Sequence, residues 1–355
     1  MYAWSDSDSI SLVCLKKWHE TPDTVSFELG SIPQDLHFNF KPGQFITLGL
    51  NMPEKMDYRA YSIASDTHDN RLKLTVKRVE GGLVSNFIVD ELDEGDEVAV
   101  LKPAGEFNCI DCQPTITNKV TLVSAGCGIT PVIAMAKYWL KHDPAIEIDF
   151  IHMARSKQET IYFEELHQLD ETHSNFSLKL LLKDNQGTTA PQGRLDKSWL
   201  VRLSPDILER TVYLCGPVGF MQDVESYLTE LEFNMENFYQ ESFTPISKVE
   251  ESQPIEDNQS IKDNGQSGPV EVFVPAFGAK VEADLGTPLA DSLEKAGVPI
   301  IIACRSGICG SCKCKVTKGS VTSSSQETLT ADEIEQGYVL ACSSTIDSEV
   351  EAELG

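Results

Sequence analysis

Residues 304–316 read CRSGICGSCKCKV, with cysteines at 304, 309, 312 and 314. Cys304, Cys309 and Cys312 have the spacing C-x4-C-x2-C, and Cys342, in YVLACSS, is the one cysteine beyond this stretch. Three close thiolates with a distant fourth is the plant-type spacing of a [2Fe–2S] site. Gly307 and Gly310 let the loop wrap closely and aim backbone N–H groups at sulfur, which stabilises a negatively charged cluster. A zinc site built from four cysteines usually takes two close pairs, a poorer match to this spacing. Cys314 lies two residues past Cys312, on the same face of a strand but outside the loop, and reads as a small buried residue. The expected ligands are therefore Cys304, Cys309, Cys312 and Cys342.

Working outward, VEVFVPA and AKVEADL read as strands and PLADSLEKAG as a helix, giving a small α+β domain over residues 269–355. Residues 246–268, ISKVEESQPIEDNQSIKDNGQSG, are polar and lack aromatics, the composition of a flexible linker. Before them, KVTLVSAG, EIDFIHMA, FSLKLLLKD and RTVYLCG read as strands, and IYFEELHQL and GFMQDVESYLTEL as helices. That alternation predicts a doubly wound parallel sheet over residues 113–245. In residues 1–112, TVSFELG, GQFITLGL, YRAYSIA, LKLTVKRV and DEVAVLKP are short strands separated by turns, which predicts an antiparallel β-barrel.

Composition narrows the class. The formal net charge of −26 over 355 residues disfavours nucleic acid and anionic membrane as partners. The N-terminal stretch lacks a basic start followed by an apolar run, so no signal peptide is expected. The longest apolar run, VPIIIAC, is too short to span a bilayer. Ten cysteines in such a chain point to a reducing, cytoplasmic setting, where clustered thiols bind metal or do redox chemistry. Cys109-Ile110-Asp111-Cys112 lacks the strand–helix context of a redox disulfide and reads as a chance pair. His142, His152, His167 and His173 show no metal-ligand pattern and read as surface or packing residues.

The first two domains should feed the cluster. On the strand around RAYS, Arg59 can pair with a phosphate, Tyr61 can stack on a planar ring and Ser62 can bond a ring nitrogen. Gly81-Gly82 opening a helix supplies N–H groups to a phosphate. Pro103-x-Gly105-x-Phe107 is a turn that would bring an aromatic near such a ring. SAGCGITP, residues 124–131, puts Gly126 and Gly128 at a strand end, Thr130 as an N-cap and Pro131 in the first helical turn. The helix start should face a pyrophosphate. Cys215-Gly216-Pro217 ends a later strand, and both loops should line one crevice at strand carboxyl ends. Arg155 can reach a ribose or adenosine phosphate. Glu241 is a possible proton-handling group.

RAYS, GGLVS, AGCGITP, CGPVGFM and YQESF together resemble the ferredoxin–NADP⁺ reductase-like flavoproteins, and the cysteine pattern matches the subset with a fused plant-type ferredoxin. The resemblance covers nearly the whole chain except the linker and implies a β-grasp fold for the last domain. It implies that Arg59 binds the flavin pyrophosphate and that Tyr61 and Ser62 contact the isoalloxazine. It further implies that Gly82 and Ser85 complete the phosphate site. Gly128 and Thr130 would underlie the nicotinamide nucleotide, Cys215 would sit by the hydride path, and Phe243 would cover the ring. Within the subset, PLADSLEKAGVPIIIACRSGICGSCKCKV and LTADEIEQGYVLACS are similar to the NADH oxidoreductases of hybrid-cluster proteins.

The expected activity is electron transfer: hydride from NADH to FAD, then single electrons through [2Fe–2S] to a partner protein. The resemblance implies the hybrid-cluster protein, which reduces small nitrogen oxides, as that partner; the alternative is a Rieske-type oxygenase. A redox sensor without turnover is a further alternative that the intact glycine-rich and CGP loops disfavour. ARSKQET follows its basic residues with Gln158 and Glu159, favouring NADH over NADPH.

Overall fold

The computed structural model describes residues 9–32, 36–52, 56–67, 69–243, 269–305, 307, 309–326 and 328–354. They fall into two compact units, within residues 1–243 and 244–355. The linker expected over 246–268 lies outside the described residues. No described helix is long and apolar enough to cross a membrane.

The first unit begins with six antiparallel strands: β1 (Ile10–Thr21), β2 (Thr24–Gly30), β3 (Phe45–Asn51), β4 (Met56–Ser62), β5 (Leu72–Lys77) and, after helix α1 (Leu83–Asp90), β6 (Glu97–Val100). Their order is β4-β3-β6-β1-β2-β5. The two edge strands meet where Ala64 N–H donates to Lys73 O at 2.8 Å, so the sheet curls into a barrel. Alternation builds its core: Leu72, Leu74 and Val76 point inward from β5 and Val25, Phe27 and Leu29 from β2, all buried. β2 is buried on its outer face too, at Thr24 and Ser26.

That outer face packs against Tyr162 of the α/β half, which is built on a parallel sheet. Its elements are β7 (Lys119–Ala125), α2 (Ile129–His142), β8 (Glu147–Ala154), α3 (Phe163–Thr172), β9 (Phe176–Leu182), α4 (Lys197–Leu203), β10 (Thr211–Cys215), α5 (Val218–Glu230) and β11 (Phe238–Glu241). All five strands are parallel in the order β11-β10-β7-β8-β9. Leu122, Phe150 and Tyr213 bury one face against Trp139 of α2 and Leu166 of α3, while Val123, Ile151 and Leu214 bury the other against Leu200 of α4 and Val224 of α5. This is the doubly wound arrangement. The winding reverses between β7 and β10, and there the strand ends leave a crevice.

The second unit contains β12 (Val270–Val274), β13 (Ala279–Ala283), α6 (Leu289–Lys295), β14 (Lys313–Lys318), β15 (Val321–Ser323), α7 (Ala331–Glu335), β16 (Tyr338–Leu340), β17 (Ser344–Ile346) and β18 (Val350–Leu354). Five of these strands form a mixed sheet ordered β13-β12-β18-β14-β16, with β12 and β18 parallel and the other pairs antiparallel. Leu289 and Leu293 of α6 join Val272, Val274 and Ile346 in its core. The acidic run after Leu329 forms α7, whose Thr330–Glu333 capping box satisfies its first amides.

Candidate active site and cluster loop

The crevice is built from two turns that touch. After β7 the chain makes a tight turn over Gly126–Gly128 before α2 begins. A Cβ on Gly128 would lie 2.1 Å from Cys215 O and 2.6 Å from Gly216 N, so the two loops meet with no room for a side chain. Gly126 is different: its φ of +54° favours glycine, and nothing lies within 4 Å of a would-be Cβ. Thr130 is not the N-cap that the sequence suggests. The tight turn moves the helix start back to Ile129, with Gly128 as the capping residue, and the Thr130 hydroxyl donates to Cys127 O at 2.9 Å from inside the first turn. No side chain caps this end of α2. Pro217 occupies the position before α5, whose first turn also lacks acidic residues.

Cys215 ends β10 in register with Ser124 of β7 on one side and Glu241 of β11 on the other. Parallel partners share a face, and the row continues to His152 on β8. All four are buried. Burial, and then the Glu241 charge, push the Cys215 thiol well up, so it stays protonated. His152 bonds Ser124 Oγ through Nδ1 at 2.9 Å and is held neutral by burial, its pKa lowered to about 3. Phe243, two residues past Glu241, is 47% exposed.

β4 carries Arg59, Tyr61 and Ser62. Arg59 pairs opposite Leu48 and Tyr61 opposite Ile46, so both face one way, while Ser62 faces the other. Burial pushes the Tyr61 hydroxyl far up, with the Arg59 charge opposing it, and the Gly126–Gly128 turn packs beside β5. Ser62 Oγ is buried and has no hydrogen-bond partner. An orphaned hydroxyl in this position fits a ring nitrogen of a bound flavin. Arg59 Nη1 bonds Asp57 Oδ1 and Tyr58 O, each at 2.6 Å. The Asp57 partner was missed in the sequence, although its i,i+2 spacing on a strand was the available signal. Gly81 has φ +70°, Gly82 caps α1, and Ser85 Oγ turns back to accept from Val79 N–H at 3.3 Å.

The turn after β6 departs from expectation. Gly105, at φ +112°, lies against the Phe45 ring: a Cβ there would stand 3.0 Å from Phe45 Cε1 and 3.8 Å from Glu241 Oε1. Phe107 does not serve as an aromatic beside the flavin. It is buried in the α/β core, its ring 6.3 Å from that of Tyr213. Arg155 projects from the end of β8 with its side chain 79% exposed, 3.5 Å from Glu159 Oε1. Lys157 lies 4.5 Å over the Phe163 ring. Cys109 and Cys112 sit apart from the crevice chemistry: burial raises both thiols, and Cys112 Sγ donates to Glu106 O at 3.3 Å.

In the second unit, the cysteine loop brings its thiols together in a row of contacts. Cys312 Sγ and Cys342 Sγ lie 3.2 Å apart, and Cys342 N–H donates to Cys312 Sγ at 3.5 Å. Cys304 bonds Cys309 and Cys342, and those bonds raise both partners, while the bond with Cys342 lowers Cys312. Four neighbouring thiols fit two irons, each needing two protein sulfurs. Gly307 and Gly310 both have positive φ, and a Cβ on Gly307 would meet Ser343 Oγ at 2.6 Å. Arg305, also at positive φ, is tied to Asp291 and Glu294 of α6. Cys314 is fully buried on β14, its thiol pushed up to about 12 by burial.

Three family models match the chain: oxidoreductase FAD-binding domain over residues 12–109, oxidoreductase NAD-binding domain over 122–226, and 2Fe-2S iron-sulfur cluster binding domain over 273–347. The glycine betaine monooxygenase reductase subunit of Pseudomonas aeruginosa is 32% identical over 345 residues, covering 95% of this chain and 93% of that protein. The NADH oxidoreductase HCR of Escherichia coli is 32% identical over 327 residues, covering 91% of each. Phthalate dioxygenase reductase superposes with a TM-score of 0.64 at 24% identity, covering 98% of each chain, a likeness of fold. Barrel, parallel sheet and ferredoxin unit together define a modular flavin reductase that takes electrons from a pyridine nucleotide. The chain belongs to the family of NADH-dependent flavin and iron–sulfur oxidoreductases, and it binds FAD, nicotinamide and a [2Fe–2S] cluster.

Proposed function

We propose that this chain draws electrons from NADH at the crevice between β7 and β10 and delivers them through Cys304, Cys309, Cys312 and Cys342 to the hybrid-cluster protein. The contact of the Gly126–Gly128 turn with Cys215-Gly216 carries the first half of this reading, because it makes one nucleotide groove of two loops. FAD, when bound, takes the hydride of NADH as an electron pair and releases electrons singly. The residues bind and orient. Arg59 exchanges Asp57 for a flavin phosphate, with Gly82 and Ser85 at the same phosphate end. Tyr61 lies along the ring and Ser62 bonds a ring nitrogen. Gly126, Gly128, Thr130, Gly216 and Pro217 line the nicotinamide nucleotide, Arg155 reaches its ribose, and Phe243 covers the ring. Cys215, held as a thiol, packs beside the hydride path. Lys157 is seated on Phe163 and Arg155 faces Glu159, so neither base is set aside for a 2′-phosphate, which favours NADH. We place the domains at 1–112, 113–245 and 269–355, joined to the last by 246–268, in a cytoplasmic protein.

The acceptor is inferred from residues 288–316 and 329–343, which carry the similarity to hybrid-cluster reductases. Residues 269–355 hold 13 Asp and Glu against 6 Lys and Arg, a net of −7, so the acceptor should present a basic face and encounter should weaken with salt. A Rieske-type oxygenase is the second reading, favoured by relatives named as monooxygenase and demethylase reductase subunits at 30–32% identity. The test is anaerobic: mix NADH, this protein and purified hybrid-cluster protein at low salt, and follow the acceptor's spectrum. Reduction within seconds supports the first reading. No reduction there, with rapid reduction of an oxygenase component, supports the second.

A further inference from the structure

Tyr162 precedes α3 with φ +61°, a left-handed conformation rare for an aromatic residue, and its side chain is buried. Such strain persists only where the surroundings hold it. Here they do. Its hydroxyl bonds Thr75 Oγ1, across 87 positions of sequence, and Thr75 Oγ1 lies 2.6 Å from Ser26 Oγ. Ser26 and Thr75 face each other across β2 and β5 on the outer surface of the barrel. An outer barrel face would ordinarily carry solvated hydroxyls; these are sealed by the Tyr162 ring. Burial pushes the Tyr162 hydroxyl well up, so it keeps its proton.

A charged layer lies beside it. Lys73 Nζ stands 4.1 Å over the Tyr162 ring and bonds Glu165 Oε2 at 3.2 Å. Lys137 of α2 bonds Glu165 Oε1 at 3.0 Å and Ala64 O at 3.1 Å. Burial alone would raise the Glu165 carboxyl, but Lys137 and Lys73 outweigh it and hold it below its usual range. The connections matter because of where they lead. Ala64 is two residues past Ser62 on the flavin side, and α2 starts at the nucleotide turn. The knot ties together the two elements whose spacing sets the distance between ring and nicotinamide.

We propose that Tyr162 is a positioning residue for hydride transfer: its buried hydroxyl, through Thr75 and Ser26, fixes the parallel sheet against the flavin barrel. The inference rests on the crevice reading above. The test uses the full-length holoprotein and four variants: Tyr162→Phe, which removes only the hydroxyl, Thr75→Val, which removes its partner, Thr75→Ser, which keeps it, and the double variant Tyr162→Phe/Thr75→Val. Three quantities are measured: anaerobic flavin reduction by NADH in stopped flow, the long-wavelength charge-transfer band of reduced nicotinamide on flavin, and hydrogen exchange over residues 72–77 and 160–166 without NADH.

Tyr162→Phe and Thr75→Val should each slow flavin reduction about tenfold, since small misplacements at the reacting atoms are costly. Both should weaken the charge-transfer band and raise exchange in both segments, with NADH affinity nearly unchanged. Thr75→Ser should stay near the parent, and the double variant should be no slower than either single one. Parental rates and bands in both single variants would overturn the proposal, as would a double variant whose loss is the product of the two. If Tyr162→Phe fails to keep its flavin, Thr75→Val against Thr75→Ser carries the comparison. Failure of the crevice reading itself would show as NADH kinetics indifferent to Gly128→Ala, and it would leave the exchange result standing.

Discussion

Adding one methyl group to Gly128 should separate the two loops of the crevice. The residue has φ −61°, a conformation any amino acid adopts, so Gly128→Ala introduces no backbone strain. What it lacks is room. The new Cβ would stand 2.1 Å from Cys215 O and 2.4 Å from the Cys215 carbonyl carbon, both main-chain atoms with no side chain to swing away. Reaching ordinary contact demands that the α2 start or the Cys215-Gly216 turn retreat by about 1.4 Å. A displacement near 1 Å at a hydride-transfer site costs about 100-fold, or about 2.7 kcal/mol of transition-state stabilisation. We therefore expect kcat/KM for NADH-driven ferricyanide reduction to fall about 100-fold while flavin and iron contents stay at parental levels. Gly126→Ala is the control. Its neighbourhood is open but its φ is +54°, so it should lose about 1–2 kcal/mol of stability with far less effect on NADH kinetics. Parental kcat/KM in Gly128→Ala would refute the contact between the loops and with it the shared groove.

Cys342→Ser should abolish the [2Fe–2S] signal, leave flavin and ferricyanide activity intact, and end reduction of protein acceptors; Cys314→Ser should retain full iron content. Arg59→Ala should weaken flavin retention on dilution by one to two orders of magnitude, from loss of a charge-assisted phosphate contact worth about 1.5–3 kcal/mol. Because His152 has its folded pKa lowered to about 3, its contribution to stability is complete above the unfolded value near 6.5 and is lost as pH falls from there toward 3. That amounts to about 1.4 kcal/mol in all between pH 5.5 and 7.5, so urea midpoints measured over that range should vary less in His152→Asn, and equal slopes would refute the assignment.

The parts of this molecule written in local sequence were legible. The C-x4-C-x2-C spacing, the apolar runs of β7, β8 and β9, and the glycines of the turn after β7 are properties of a dozen residues or fewer. What escaped depends on partners far away in sequence. β1 was not anticipated, although Leu12 and Cys14 alternate inward, because register shifts at Cys14/Lys16 and His19/Thr21 break its period. β11 is four residues long and takes its identity from pairing with β10. α4 is short and rests on the Asp196 cap, which accepts from Trp199 N–H at 2.7 Å. Thr130 looked like a cap because the preceding turn could not be foreseen, and Phe107 looked like a ring for the flavin because nothing local revealed Tyr213 beside it. The Tyr162 knot joins residues 26, 75 and 162, and no local pattern announces it.

The central claim is that electrons entering from NADH leave the flavin through the cysteine cluster. The most direct measurement is an anaerobic titration of the full-length protein with NADH, followed by low-temperature electron paramagnetic resonance. The account predicts that a reduced [2Fe–2S] signal grows toward one spin per chain as flavin absorbance bleaches, and that it is absent in Cys342→Ser. Flavin that bleaches fully with no cluster signal in the parent protein would contradict it.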